Sequence, residues 1–358
     1  MSGPDPSLLL SAAGLLIGAL FGGVVQATHF CTMGAVSDYV LFGSLRRLRV
    51  WALAIATALL GTQGLAAGGL VTLQVTPHLV QPVFWLGAVL GGLLFGHGMV
   101  LAGGCTSRAL VRLGGGSLKA LLVLLVMAVT ALAVLTGPFA TLKRGLAEVG
   151  SIQLGSDHGL PSLIEHLGMP PGVATSLATA LLLAPLLAFV LADARFRHSP
   201  GDLAAGVALG AIVALGWALT SALGAAVPLS LNYVQPAGDS LLWLMTGAQS
   251  PGFAIAAVGG TVLGAAAVAA RSGQLRLETF VSRDDMVRHC LGGLLMGAGG
   301  ALALGCTVGQ GITGVSTLSL HALLALPAML AGAWWGVHSL ETGRVLPWTA
   351  RAGAAGTA

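Results

Sequence analysis

Residues 50–107 and 289–340 contain no Asp, Glu, Lys or Arg. Shorter uncharged runs cover 6–37, 120–142, 166–192, 203–238 and 240–270. A helix needs about 20 residues to cross a hydrocarbon layer, so each of the two longest runs has room for two crossings. Only 8% of the chain is charged, against roughly 25% in an average soluble protein. With 56% of residues apolar, the chain is neither a water-soluble globule nor a disordered one. The expected fold class is an all-α polytopic membrane protein. Nine helices are predicted near 8–30, 50–71, 83–104, 118–142, 172–192, 203–227, 252–270, 290–305 and 318–340. The N-terminal MSGPDPS lacks the positive leader of a signal peptide. A net charge of +4 without a clustered basic face argues against nucleic-acid binding and leaves the lipid bilayer as the partner.

The cations set an orientation. Fourteen of the sixteen fall on one side of the nine predicted crossings: Arg46, Arg47, Arg49, Arg108, Arg112, Lys119, Arg195, Arg197, Arg271, Arg276, Arg283, Arg288, Arg344 and Arg351. Only Lys143 and Arg144 fall on the other. This places the N-terminus outside and the C-terminus in the cytoplasm. Residues 143–171 then form one sizeable outer loop, and 228–250, with Trp243, a second interfacial segment.

A repeat sets the architecture. Residues 91–106 read GGLLFGHGMVLAGGCT and residues 292–307 read GGLLMGAGGALALGCT, identical at 11 of 16 positions. Gly14 and Gly18 are echoed more weakly by Gly206 and Gly210. Four predicted helices precede the fifth and four follow it. One extra crossing between the copies inverts the second, a 4+1+4 plan typical of transporters with a site near the midplane. The corresponding divisions are 1–142, 143–202 and 203–358. Both copies end in glycine-rich breaks, Gly103-Gly104-Cys105-Thr106 before Gly114-Gly115-Gly116, and Gly305-Cys306-Thr307 before Gly309 and Gly311. Such glycines either allow close helix packing or open the backbone beside a cavity, where re-entrant half-helices are tolerated.

Of the four cysteines, Cys290 reads as a small inert hydrophobe. Cys105 and Cys306 are either packing residues or site residues, and Cys31 sits in another polar break, Thr28-His29-Phe30-Cys31-Thr32-Met33-Gly34. No paired CxxC spacing suggests zinc; no metal or cofactor is expected, and a disulfide between helix ends is not favoured. His97 is replaced by Ala298 in the second copy and reads as a packing residue. Arg108 either attracts anions at the cytoplasmic mouth or only sets topology; Gln310 occupies the comparable place after Cys306. Asp38, Arg46 and Arg47 read as cytoplasmic surface.

The motifs His29-Phe30-Cys31-Thr32-Met33-Gly34-Ala35-Val36-Ser37-Asp38, Gly103-Gly104-Cys105-Thr106 and Gly305-Cys306-Thr307, together with the duplication, resemble the YeeE/YedE family of sulphur-transport membrane proteins. The resemblance covers nearly the whole chain. It implies an hourglass-like inverted repeat in a bacterial inner membrane, uptake of thiosulfate, and three cysteines, here Cys31, Cys105 and Cys306, along the substrate path. Gly104, Thr106, Gly305, Thr307 and His29 complete the expected pathway. Some relatives work with a small TusA-like sulfurtransferase; for this chain such a carrier would be a separate partner.

The chemistry fits an anion with a terminal sulfur. A dianion stripped of water needs replacement donors. Free N–H groups at half-helix N-termini supply them, and a thiol adds a weak donor suited to a soft sulfur. With no Lys or Arg in 50–107 or 289–340, the centre is expected to lack a fixed cation. A non-enzymatic permease is the expected function. A membrane thiol–disulfide redox protein, a structural subunit, or a carrier of sulfide, polysulfide or selenium compounds are the alternatives.

Overall fold

The computed structural model describes residues 5–153, 157–247 and 251–342; Arg344, Arg351 and the rest of the expected cytoplasmic tail lie outside the described residues. The chain is helical almost throughout. In order, the helices are α1 Pro6–Thr28, α2 Thr32–Phe42, α3 Arg46–Ala67, α4 Pro77–Val80, α5 Trp85–Leu101, α6 Thr106–Gly114, α7 Leu118–Leu135 and α8 Ala140–Gly150. They continue as α9 Leu160–Glu165, α10 Pro171–Leu191, α11 Ala194–Arg197, α12 Pro200–Ala222, α13 Val234–Thr246, α14 Phe253–Arg271, α15 Arg283–Leu302 and α16 Leu320–Thr342. Two short strands, β1 Val83–Phe84 and β2 Ser151–Ile152, pair antiparallel with Val83 opposite Ile152.

Eight stretches of the described residues are long and apolar enough to cross a membrane: α1 with α2, α3, α5 with α6, α7, α10, α12, α14 and α16. The remaining predicted span, 290–305, is present as α15, whose first turns carry Arg283, Asp284, Asp285 and Arg288 and shorten its apolar part. The predicted 118–142 helix stops at Leu135, and residues from Ala140 form the separate amphipathic α8. The 228–250 segment contains a true helix, α13, packed on α7 and α14.

The helices pair across the sequence rather than within each half. α1 lies along α14 while α12 lies along α3; α5 lies along α16 while α15 lies along α7; and α5 meets α15. Glycine makes these contacts possible. A Cβ on Gly14, Gly18 or Gly22 would collide with the carbonyls of Phe253, Ala257 or Thr261, and one on Gly210 would crowd Ala54. On α5, a Cβ at Gly91 would sit 2.6 Å from the Gly299 carbonyl; on α15, one at Gly292 would sit 2.7 Å from the Gly98 carbonyl. The two repeat helices thus run antiparallel and present the same glycines to each other. The repeated glycines inside the helices are packing residues. Close backbone approach of this kind drives association in lipid, where apolar burial alone does not.

At one end of the bundle, ion pairs tie the connections together. Arg49 meets Asp193 at 2.7 Å, Arg112 meets Glu278 at 2.9 Å and Lys119 meets Asp285 at 2.7 Å. Burial pushes the Glu278 carboxyl up, but the Ser117 hydroxyl and the Arg112 guanidinium outweigh it and hold it below the usual carboxylate range. The other end gathers α4, α8, α9 and the start of α16, with Gly159 bridged to Ser319.

The seam makes a direct prediction. Gly18→Ala should cost about 1–3 kcal/mol through overpacking, read as a lower melting temperature in detergent. Gly145→Ala, where a Cβ meets nothing within 4 Å, should leave it unchanged. Equal stability of the two variants would show that α1 and α14 do not meet this closely.

Candidate functional site

Three helices break, and a cysteine follows each break. α1 ends at His29 in the left-handed region (φ 53°); Cys31 then caps α2, its Sγ accepting the Gly34 N–H at 3.5 Å. α5 ends before Gly103 (φ 72°) and Gly104 (φ 156°), and Cys105 caps α6. α15 ends before Leu304 (φ 58°), and Cys306 Sγ accepts the Gly309 N–H at 3.3 Å as the chain re-enters helix. Gly103 and Leu304 are equivalent in the repeat, so the second copy holds a left-handed turn without glycine.

The copies then diverge by one residue. Gly116 and Leu318 both have positive φ, and each precedes a bridged serine, Ser117 or Ser319. Their spacing is one more than that of Cys105 and Cys306. The extra residue is taken up by a π-helical turn at Gly309–Gly314, a wound-out form common at functional sites.

The breaks converge at the centre. The Thr32 hydroxyl donates to Thr307 Oγ1 at 3.0 Å and has Cys105 Sγ 3.9 Å away as an alternative partner. With one proton it can serve one at a time. Cys105 Sγ also lies 3.3 Å from Ser107 Oγ. Cys105, Cys306, Thr32 and Thr307 are all buried. Thr106 points away, its hydroxyl donating to Met127 Sδ at 3.2 Å. The backbone of Tyr233 also reaches Cys306. All four cysteines are free thiols, and among the described residues no three His, Cys, Asp or Glu side chains gather as metal ligands would.

Carbonyls freed by the second break are met by side chains. His321 Nε2 donates to Ala303 O at 2.9 Å, Gln310 Nε2 to Leu304 O at 2.9 Å, and Asn232 Nδ2 to the same oxygen at 3.4 Å. At the first break, Arg112 donates to Gly103 O at 3.4 Å.

A cavity approaches the cluster from each side. One, of about 270 Å3, is lined by His78, Trp217, Asn232, Asp239, Gly305, Gln310 and His321, among others, and reaches the Cys306 break. The other, of about 570 Å3 at the arginine-rich end, is lined by His29, Cys31, Asp38, Arg46, Arg47 and Trp51. Cys105 and Cys306 lie between them, lining neither.

Over most of its length the chain is similar to known carriers. It matches the sulphur transport family over residues 27–335. It belongs to that family. The thiosulfate transporter TsuA of Escherichia coli (strain K12) is 28% identical over 344 residues, covering 92% of this chain and 93% of the relative. The thiosulfate transporter TsuA of Spirochaeta thermophila (strain ATCC 700085 / DSM 6578 / Z-1203) is 30% identical over 337 residues, covering 90% and 96%.

Of the pathway residues expected of a sulphur transporter, Cys31, Cys105, Cys306, Thr307, Gly104, Gly305 and His29 gather at the breaks or the cavities, while Thr106 turns toward α7. His97 packs at a tilt against Trp335, with ring centroids 4.8 Å apart. The expected absence of a fixed cation needs correction. The Arg108 side chain folds back over Gly104 and lies in electrostatic reach of Cys31 and Cys105. Its Nη1 is buried without a partner among the described residues. Being just past the uncharged run, it returns toward the centre because α6 begins there. Asn232, Tyr233 and His321 were missed; the one asparagine of the chain beside one of its two tyrosines was the available signal.

Thr32→Val should leave the Thr307 hydroxyl without its donor, at a cost of about 1–3 kcal/mol, whereas Thr32→Ser should keep the bond. A thermal-unfolding series of both variants checks this, and equal losses for both would mean packing rather than the hydroxyl matters.

Proposed function

We propose that this protein is a permease that takes thiosulfate into the cytoplasm, passing it between cavities through the Cys105–Cys306 constriction. The observation that carries the proposal is two buried thiols at the N-terminal ends of helix segments, separating opposed cavities. An anion leaving the Cys306 side would meet N–H groups freed at the breaks, the Thr32 and Thr307 hydroxyls, and then Arg108 and Cys31. Neutral donors hold a dianion without trapping it, which conduction requires. The soft terminal sulfur of thiosulfate suits a thiol neighbour better than a hard oxyanion does.

On this proposal the chain comprises two inverted halves, 1–142 and 203–358, joined by 143–202. It lies in the bacterial inner membrane with its N-terminus outside, which puts the arginine-rich end in the cytoplasm. A separate TusA-like sulfurtransferase would collect the anion at the mouth beside His29, Arg46 and Arg47.

Uptake of sulfur-labelled thiosulfate by cells lacking other sulphur importers tests the path. Cys105→Ala and Cys306→Ala should each lower uptake at least about tenfold with melting temperature nearly unchanged. Serine at these positions should rescue poorly, Cys31→Ala should be intermediate, and Cys290→Ala silent. Normal uptake by both alanine variants would sink the thiol path.

Orientation has its own check: Arg276→Cys, on a background without native reactive thiols, should resist an impermeant maleimide in intact cells. Labelling from outside would reverse the topology.

A further inference from the structure

The 270 Å3 cavity contains no Lys or Arg among its lining residues. An anion entering it therefore meets no fixed positive charge in the wall. What the wall does contain is three proton-binding side chains from three separate elements: His78 on α4, Asp239 on α13 and His321 on α16. Trp217 and Gln310 also line it, each with a buried polar atom that has no partner among the described residues.

His321 offers the cavity wall a basic ring nitrogen. Because His321 Nε2 faces the Ala303 carbonyl at 2.9 Å, that nitrogen carries the hydrogen and Nδ1 is the free base. Nδ1 is buried and has no partner among the described residues. His78 packs edge-on against Trp217, with centroids 6.3 Å apart, and burial together with His321 pushes its pKa down to about 4. Burial pushes the Asp239 carboxyl up, and a hydrogen bond from Gln235 pulls it partly back.

Few other charges face these groups. Lys143 of α8 is within electrostatic reach of His321, and His158 approaches through its hydrogen bond to Leu79 O at 3.0 Å. Around Asp239, the charges of α7, α14 and α15 begin at Lys119, Arg271 and Arg288. Each is at least a dozen residues along its helix from the cavity-lining Leu135, Ala254 and Gly300, a distance of roughly 18–25 Å.

We propose that anion binding in this cavity is proton-linked, the site taking up a proton on His78, Asp239 or His321 together with the substrate. The inference rests on the reading of the protein as a thiosulfate carrier. A dianion beside neutral imidazoles stabilises their charged form, and beside a carboxylate it favours the protonated acid. All three responses have the same sign. Linkage then requires that whatever proton the anion draws in must, reciprocally, tighten the anion. Binding should be strongest in acid and weaken as pH rises, by up to about tenfold per pH unit for one proton in the window between the pKa of the empty and the filled site. Thiosulfate itself stays a dianion through the neutral range, so the slope reports on the protein.

The test uses the purified full-length chain and sodium thiosulfate. Titration calorimetry from pH 5.5 to 8.5, in buffers of differing ionisation enthalpy, measures affinity and counts protons taken up. The expected result is a falling affinity with rising pH and an uptake of between a half and one proton per anion. The triple variant His78→Gln, Asp239→Asn, His321→Gln should bind with a flat pH profile and no proton uptake. Flat affinity and no proton uptake in the unmodified protein would overturn the linkage while leaving the thiosulfate reading intact. A slope that survives in the triple variant would overturn the assignment to these side chains. Absence of thiosulfate binding at every pH would instead overturn the reading on which the inference rests.

Discussion

A peptide group freed where a helix breaks in the membrane has no water to bond to, and much of the polar structure at the centre of this protein answers that need. Cys31 and Cys306 accept N–H groups of the helices they precede. Gln310, Asn232 and His321 serve the carbonyls left at Ala303 and Leu304, and Arg112 serves Gly103. These polar and basic side chains are thus first of all backbone partners. Their second use follows from the first, because groups that can satisfy a freed amide can also exchange it for a passing anion.

The two copies solve the problem unequally. In the first, a long cation reaches back to the broken turn; in the second, neutral amides and an imidazole do so. The inserted residue at the π-helical turn accompanies this difference and carries Gln310 toward the break. The cavity beside Cys31 consequently has Arg46 and Arg47 in its wall with Arg108 close by, and the cavity beside Gly305 has no Lys or Arg in its wall. The two cavities therefore offer a bound anion unequal surroundings.

Much of this was legible in the residues. Uncharged runs announce spanning helices because charge in hydrocarbon is costly, and the duplicated Gly-Cys-Thr marked the paired breaks because so few polar residues interrupt those runs. The glycines were ambiguous: packing and backbone opening call for the same residue, and only neighbours distinguish Gly91, pressed on Gly299, from Gly104 at φ 156°. The residues alone leave Arg108 between attracting anions and setting topology because position along the chain does not give depth, and a helix that restarts near the centre brings its first turns with it. Asn232, Tyr233 and His321 come from segments far apart in sequence. No local pattern records that α13 and the start of α16 border the same cavity.

The exchanged packing has a mechanical consequence. In carriers that alternate by rocking, each half is a body with its own internal contacts and a slippery boundary to the other. Here α1 is held by α14, α12 by α3, α5 by α16 and α15 by α7, so the strongest seams run between the halves. Turning one half against the other would have to tear backbone from backbone along all of them at once. A scaffold packed in this way favours a fixed frame, in which an opening for a passing ion would be small: a rotating hydroxyl, a swinging arginine, a turn that loosens by one residue.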